Sequence, residues 1–201
     1  MTQNHSEHAD AYRLTAMAMM AALIYVVTLF RFPLLGSKVH FANALCLLSG
    51  MLLGPLAGGI SAGLGSALFD AFGGGYGPIE VAITFVSKFA MAWVCGRLLQ
   101  GKRKDLLHTV IAAAAGALTY VLLYMLKTFI FQRFVYGFAP DAVWATMVSK
   151  LIPSLINAGL AIVAAPVFFH ALRPALRGAH LEHVLSGSQA PDDEDEQKHP
   201  A

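Results

Sequence analysis

The sequence predicts an all-α integral membrane protein of six transmembrane helices with both termini in the cytoplasm. Three observations carry this. Apolar residues make up 57% of the 201 positions and Asp, Glu, Lys and Arg only 13%, against roughly 25% charged and 45–50% apolar residues in soluble domains. From Arg13 to Gly178 the only acids are Asp70, Glu80, Asp105 and Asp141, too few charges to cover a water-soluble globule. The apolar residues also fall into runs close to membrane-spanning length, about 17–25 residues, punctuated by polar or Gly/Pro-rich breaks.

The elements follow in order. Residues 1–12 are polar and include Glu7 and Asp10, which argues against a cleaved signal peptide. Residues 14–30 form the first span, and residues 31–40, with Pro33 and Gly36, form a loop. Residues 41–53 are apolar but short. Gly54-Pro55 breaks this run, because proline disfavours helix at the residue before it and starts helices well. Residues 56–72 resume, so 41–72 is taken as two short spans in preference to a re-entrant hairpin. The turn 73–78 is rich in glycine and ends in Pro78. Residues 79–99 and 107–131 are the fourth and fifth spans, separated by a charged loop at 100–105. After a loop at 132–141, residues 143–172 are long enough for a tilted sixth span. Residues 13–173 thus form one membrane domain. Residues 174–201 form a polar to acidic cytoplasmic tail, and 186–201 have the composition of disordered chain.

The net charge of +2 conceals an asymmetry, because residues 13–178 hold thirteen basic and four acidic side chains. A cytoplasmic N-terminus puts Arg13, Arg97, Lys102, Arg103, Lys104, Arg173, Arg177 and Lys198 inside. It leaves Arg31, Lys38 and Arg133 outside, as the positive-inside rule requires. The basic excess is therefore a topology signal and not a nucleic-acid footprint.

Several chemistries are excluded. Cys46 and Cys95 lie in apolar runs without a CxxC or His/Cys cluster, so no disulfide framework, metal site or cofactor is indicated. No GxxxxGK[ST] loop or HExxH is present. Gly63-Leu64-Gly65-Ser66 lies mid-helix with no histidine in the membrane beside it, and His108 and His170 fall at the opposite ends of their spans. An enzyme is not expected.

Three lysines, Lys88, Lys127 and Lys150, lie within predicted spans, where a charge is costly and normally faces a cavity or a partner. The topology sets all three in the outer half, with Lys88 about 13 Å deep at 1.5 Å per residue. Tyr120, Tyr124 and Lys127 share one helical face, as do Thr84 and Lys88, and Lys150 and Asn157. If these stripes converge they make an outward-facing pocket for a small polar ligand with a carboxylate or phosphate. The plainer readings are that Lys127 and Lys150 snorkel to the interface, that Lys88 pairs with Asp70 or Glu80, and that Tyr76, Trp93, Tyr136 and Trp144 are belt aromatics. His40 and Asn43 flank the start of the second span, and Asn43 suits a helix N-cap. Gly59, Gly63, Ala67 and Ala71 form one small-residue face, Gly58, Ala62 and Ser66 another, and Ala18 and Ala22 a third on the first helix.

The residues also resemble a known family. Asn43, the block Gly50-Met51-Leu52-Leu53-Gly54-Pro55-Leu56-Ala57-Gly58-Gly59, the block Gly65-Ser66-Ala67-Leu68-Phe69-Asp70, the turn to Tyr76-Gly77-Pro78, and Lys88 are similar to the S components of energy-coupling factor (ECF) vitamin transporters. Tyr124 to Lys127 and the segment Ile152-Pro153-Ser154-Leu155-Ile156-Asn157-Ala158 fit as well. The resemblance covers about residues 12–172. It implies a six-helix subunit of a prokaryotic plasma membrane that captures one vitamin or precursor. Its partners would be a transmembrane coupling subunit and two cytoplasmic ATPases. It also implies that Ala18 and Ala22 dock the coupling subunit, that loop 31–40 lids the pocket, and that His40 and Asn43 join Lys88, Lys127, Lys150, Asn157, Tyr120, Tyr124 and Thr84 in the ligand site. The substrate does not transfer with the resemblance. The three lysines favour an anionic vitamin or precursor such as pantothenate over a neutral pyrimidine, and the lack of a His-rich N-terminal motif argues against nickel or cobalt. The competing readings are a membrane structural or assembly protein without a ligand, and a secondary carrier working alone.

Overall fold

The structure is a computed structural model describing residues 3–34, 37–101 and 104–178. Lys102, Arg103 and the acidic tail lie outside the described residues. The chain runs α1 (Gln3–Leu29), β1 (Phe32–Leu34), β2 (Ser37–Val39), α2 (Ala42–Phe69), α3 (Pro78–Leu99), α4 (Leu106–Ile130) and α5 (Pro140–Gly178). Among the described residues, five helices are long and apolar enough to cross a membrane. Large apolar side chains such as Leu122, Ile79 and Val163 stand exposed on them (69%, 69% and 67%), as they must where the surrounding solvent is lipid.

The six predicted spans correspond to five long helices because the second and third are one element bent at Gly54. There φ is 79° and ψ 178°, a backbone region that only glycine adopts readily. Pro55 then opens the second limb. The limbs fold back on each other. The Ser49 hydroxyl donates to the Gly58 carbonyl at 2.9 Å, although nine residues along a straight helix would separate them by about 13 Å. Gly58 permits the approach, since a Cβ there would sit 2.4 Å from the Ser49 carbonyl oxygen. Both limbs lie on α3. Gly50 packs against Ala92, while Gly59 and Gly63 receive the Phe89 and Phe85 rings. Gly58, Gly59 and Gly63 of the small-residue faces are thus covered by packing inside the chain.

This bend shapes the site. The first limb begins at the depth of Lys88, whose amine donates to the Asn43 side-chain oxygen, and descends from there. The space above its start is left to the β1–β2 hairpin, paired antiparallel with Phe32 opposite Val39, Pro33 opposite Lys38 and Leu34 opposite Ser37. Below it lies the core, where Met91, Ala92, Cys95, Leu47, Cys46 and Ala113 are fully buried. Both cysteines are free thiols.

Helix α1 starts at Gln3, within the polar leader, and α5 continues to Gly178, past the expected end of the membrane domain. At 39 residues α5 is roughly 58 Å long at 1.5 Å per residue, well beyond a hydrocarbon core of about 30 Å. The expected loops at 73–78 and 132–141 begin instead as single π-helical turns, Asp70–Gly74 and Phe131–Val135.

Candidate functional site

A cavity of about 280 Å³ opens at the hairpin end of the bundle, near the lower end of small-ligand pockets, roughly 300–1,000 Å³. Its walls come from every helix and from the hairpin. Lys88, Lys127 and Lys150 all line it, with Thr84, Tyr120, Tyr124, His40 and Asn157. Eight of the nine candidate ligand residues therefore meet at one place. The ninth, Asn43, lies 1% exposed just beneath, bonded to Lys88.

Lys88 is 4% exposed. Its amine donates to the Asn43 side-chain oxygen and lies 3.7 Å from the centroid of the Tyr120 ring, a cation–π geometry. The plainer reading paired Lys88 with Asp70 or Glu80; instead its amine takes Asn43, and Glu80 takes Lys127 at 3.5 Å. Asn43 is not the N-cap of α2, because Phe41 occupies that position. Two residues further along, the Asn43 side-chain oxygen accepts from Lys88. Tyr120 and Tyr124, four residues apart, stack with centroids 6.1 Å apart and planes at 19°, making a flat aromatic wall beside the lysines. Tyr76 and Tyr136 line the cavity too, while Trp93 and Trp144 face outward at 41% and 64% exposure, in keeping with belt positions.

The loop adds positive charge. Arg31 and Lys38 face the cavity, so five cationic side chains surround it against Asp70 and Glu80. His40 sits among them. Burial, then Lys88, Arg31 and Lys38, pushes its imidazole down to about 3, so the ring is neutral at physiological pH. Among the described residues its buried Nδ1 has no hydrogen-bond partner, nor has the buried Oε1 of Gln132, another residue of the cavity lining.

Asn157, 6% exposed, reaches the hairpin. Its side-chain oxygen accepts from the His40 backbone N–H at 2.9 Å, and its amide nitrogen donates to the Lys38 carbonyl at 2.8 Å. Sequence reasoning overlooked Ser154, buried on the same wall, although it lies four residues after Lys150 and so on the same face. Glu80, read from the sequence only as a candidate partner of Lys88, lines the cavity as well; it shares the i, i+4, i+8 stripe with Thr84 and Lys88. Gln132, in the π-helical turn Phe131–Val135, lines the cavity and carried no signal in the sequence. At the bundle surface Ala18 and Ala22 are both exposed on α1.

A family model described as ECF-type riboflavin transporter, S component, matches residues 9–174. A solved structure of the S component of a bacterial ECF transporter superposes with a TM-score of 0.63 and 18% identity, over 84% of this chain and 99% of that one. At that identity the likeness speaks for the fold. No curated protein matches the chain. With its broken second helix, its hairpin-capped cavity and a family match over most of its length, this multi-pass membrane chain belongs to the ECF-type riboflavin transporter S component family and is a substrate-binding transporter subunit, not an enzyme.

Proposed function

We propose that the chain captures a small water-soluble vitamin or precursor from outside a prokaryotic plasma membrane, for import driven by ATP hydrolysis on partner subunits. The observation that carries this is the meeting of Lys88, Lys127 and Lys150, from three different helices, in one cavity beside a stacked tyrosine pair. In this reading the two limbs of α2 cross as separate spans, both termini are cytoplasmic, and the cavity faces outward. The chain works with a transmembrane coupling subunit, which docks on Ala18 and Ala22, and with two cytoplasmic ATPases.

The ligand presents an anionic or carbonyl-rich edge to Lys88 and Lys150 and a flat or apolar body to Tyr120 and Tyr124. Thr84, Lys127 and His40 complete the wall, and Asn43 holds Lys88 from below. Riboflavin, the vitamin in the family's description, carries ring carbonyls on a flat ring. Pantothenate carries a carboxylate. Both suit the lining, and the excess of cations favours the anion. A ligand-free assembly protein would neutralise its buried lysines with acids. Among the described residues, Lys127 is the one of the three with a carboxylate within ion-pair distance.

The test is a calorimetric titration of the purified protein with riboflavin and with pantothenate, repeated with Lys150→Met. Stoichiometric binding of either, weakened in the variant, supports capture. Folded protein that binds neither would turn the reading toward another ligand class or the assembly role.

A further inference from the structure

Asn157 differs from the other cavity residues in how its polar atoms are used. Both ends of its amide are engaged by backbone from a segment 117–119 positions away: the His40 N–H at 2.9 Å and the Lys38 carbonyl at 2.8 Å. A backbone N–H can only donate and a carbonyl only accept, so the network fixes which way the amide points. Those two backbone groups flank the end of β2. The hairpin needs such an anchor. It has three residue pairs, one of them through Pro33, which has no N–H, and an isolated two-stranded hairpin is marginal on its own. Among the described residues, Lys38 also reaches the turn carrying Tyr76: its amine donates to the Tyr76 hydroxyl at 3.4 Å at an exposed site and lies 5.7 Å from the ring centroid. A long, solvated contact of that kind contributes little. Strand β2 therefore sits between α5 and the turn carrying Tyr76, both of which line the cavity, and its shorter hydrogen bonds are those to Asn157.

We infer that Asn157 is a positioning residue. It latches β2 over the cavity mouth, and breaking its two hydrogen bonds is the step that limits escape of a captured molecule. This rests on the capture reading and adds to it the device that governs release. It also separates Asn157 from Lys88 and Lys150, whose roles are direct contact with the ligand.

The experiment compares wild type with Asn157→Ala and with the isosteric Asn157→Asp, which keeps the acceptor for His40 but sets an oxygen against the Lys38 carbonyl. The second variant serves if the first does not fold. Hydrogen exchange is read first, on ligand-free protein. Peptides covering residues 38–41 are expected to exchange at least about tenfold faster in the variants, with α3 and α4 unchanged. Release of riboflavin or pantothenate, whichever the wild type binds, is then expected to quicken at least about tenfold, while association changes by less than about threefold. A residue that only contacts ligand would leave ligand-free exchange untouched, and that result overturns the latch. Faster exchange with unchanged release overturns its control of escape. A wild type that binds neither probe but shows normal folding removes the capture reading, and this inference with it. Normal binding with unchanged exchange removes this inference alone.

Discussion

Replacing Lys88 by methionine should move stability and binding in opposite directions. The side chain is 4% exposed, and its amine rests on two neutral groups, the Asn43 oxygen and the Tyr120 face. Burying a cation against neutral partners costs several kcal/mol even after relaxation. Methionine fills much the same volume without that cost. The change leaves the Asn43 oxygen, 1% exposed, without its donor, at about 1–3 kcal/mol. Relief of the buried charge outweighs the lost hydrogen bond, so ligand-free Lys88→Met should be between equally stable and about 2 kcal/mol more stable. That is up to about 8 °C in Tm for a chain of this length. Binding should suffer. A hydrogen bond from a charged donor to a ligand is worth about 1.5–3 kcal/mol, so affinity should fall roughly 10- to 100-fold, since 1.4 kcal/mol is tenfold. Thermal unfolding of ligand-free protein and calorimetric titration read the two effects. A folded variant whose affinity stays within threefold of wild type, or whose Tm drops by several degrees, would refute the assignment of Lys88 as a ligand group kept at a cost in stability.

Other perturbations test other parts of the structure. Ala18→Leu and Ala22→Leu should leave ligand affinity intact and weaken co-purification with the coupling subunit, because both alanines are exposed on α1. Normal assembly would return that face to lipid contact. Gly58→Ala places a Cβ 2.4 Å from the Ser49 carbonyl oxygen and 2.6 Å from the Gly50 backbone, and backbone cannot yield cheaply. A loss of about 3 kcal/mol should appear as a lower Tm and reduced yield of folded protein, and an unchanged Tm would contradict the close packing of the two limbs. His40 predicts an acid limb in stability. Its folded value of about 3 lies below the ordinary 6.5, so the unfolded chain binds the extra proton between those values. Stability is complete above about 6.5 and falls as pH drops toward 3, by at most about 1.4 kcal/mol per pH unit. His40→Gln should flatten the curve of Tm against pH between 6.5 and 4, and a superimposable curve would mean that the imidazole is solvated.

The membrane class and most of the element boundaries were legible in the sequence, because lipid demands long apolar runs and leaves charge only at their ends or in cavities. The bend at Gly54-Pro55 was visible as a break. Its consequence, two limbs in backbone contact, depends on Ser49, Gly50 and Gly58 meeting across the fold, which no local pattern encodes. Helical periodicity and depth put Lys88, Lys127 and Lys150 on polar stripes in the outer half and left open whether the stripes meet; the structure brings all three to one cavity. The partners of two of them did not follow: Lys88 takes Asn43, placed in reach by the short first limb, and Lys127 takes Glu80 across two helices. Asn157 was found as a cavity residue by its spacing from Lys150, yet its bonds to Lys38 and His40 come from a hairpin that has no signature in residues 31–40. Arg31 and Lys38 were counted as topology signals, and the same charges prove to line the site.

The central claim is that this cavity holds a small vitamin-like molecule. The most direct measurement is mass spectrometry of small molecules released from the purified protein, beside an unrelated membrane protein in the same detergent. The account predicts one enriched, near-stoichiometric compound carrying an anionic or carbonyl-rich edge, lost from Lys88→Met. Folded protein that releases no enriched compound, and stays empty when supplied with riboflavin or pantothenate, would contradict it.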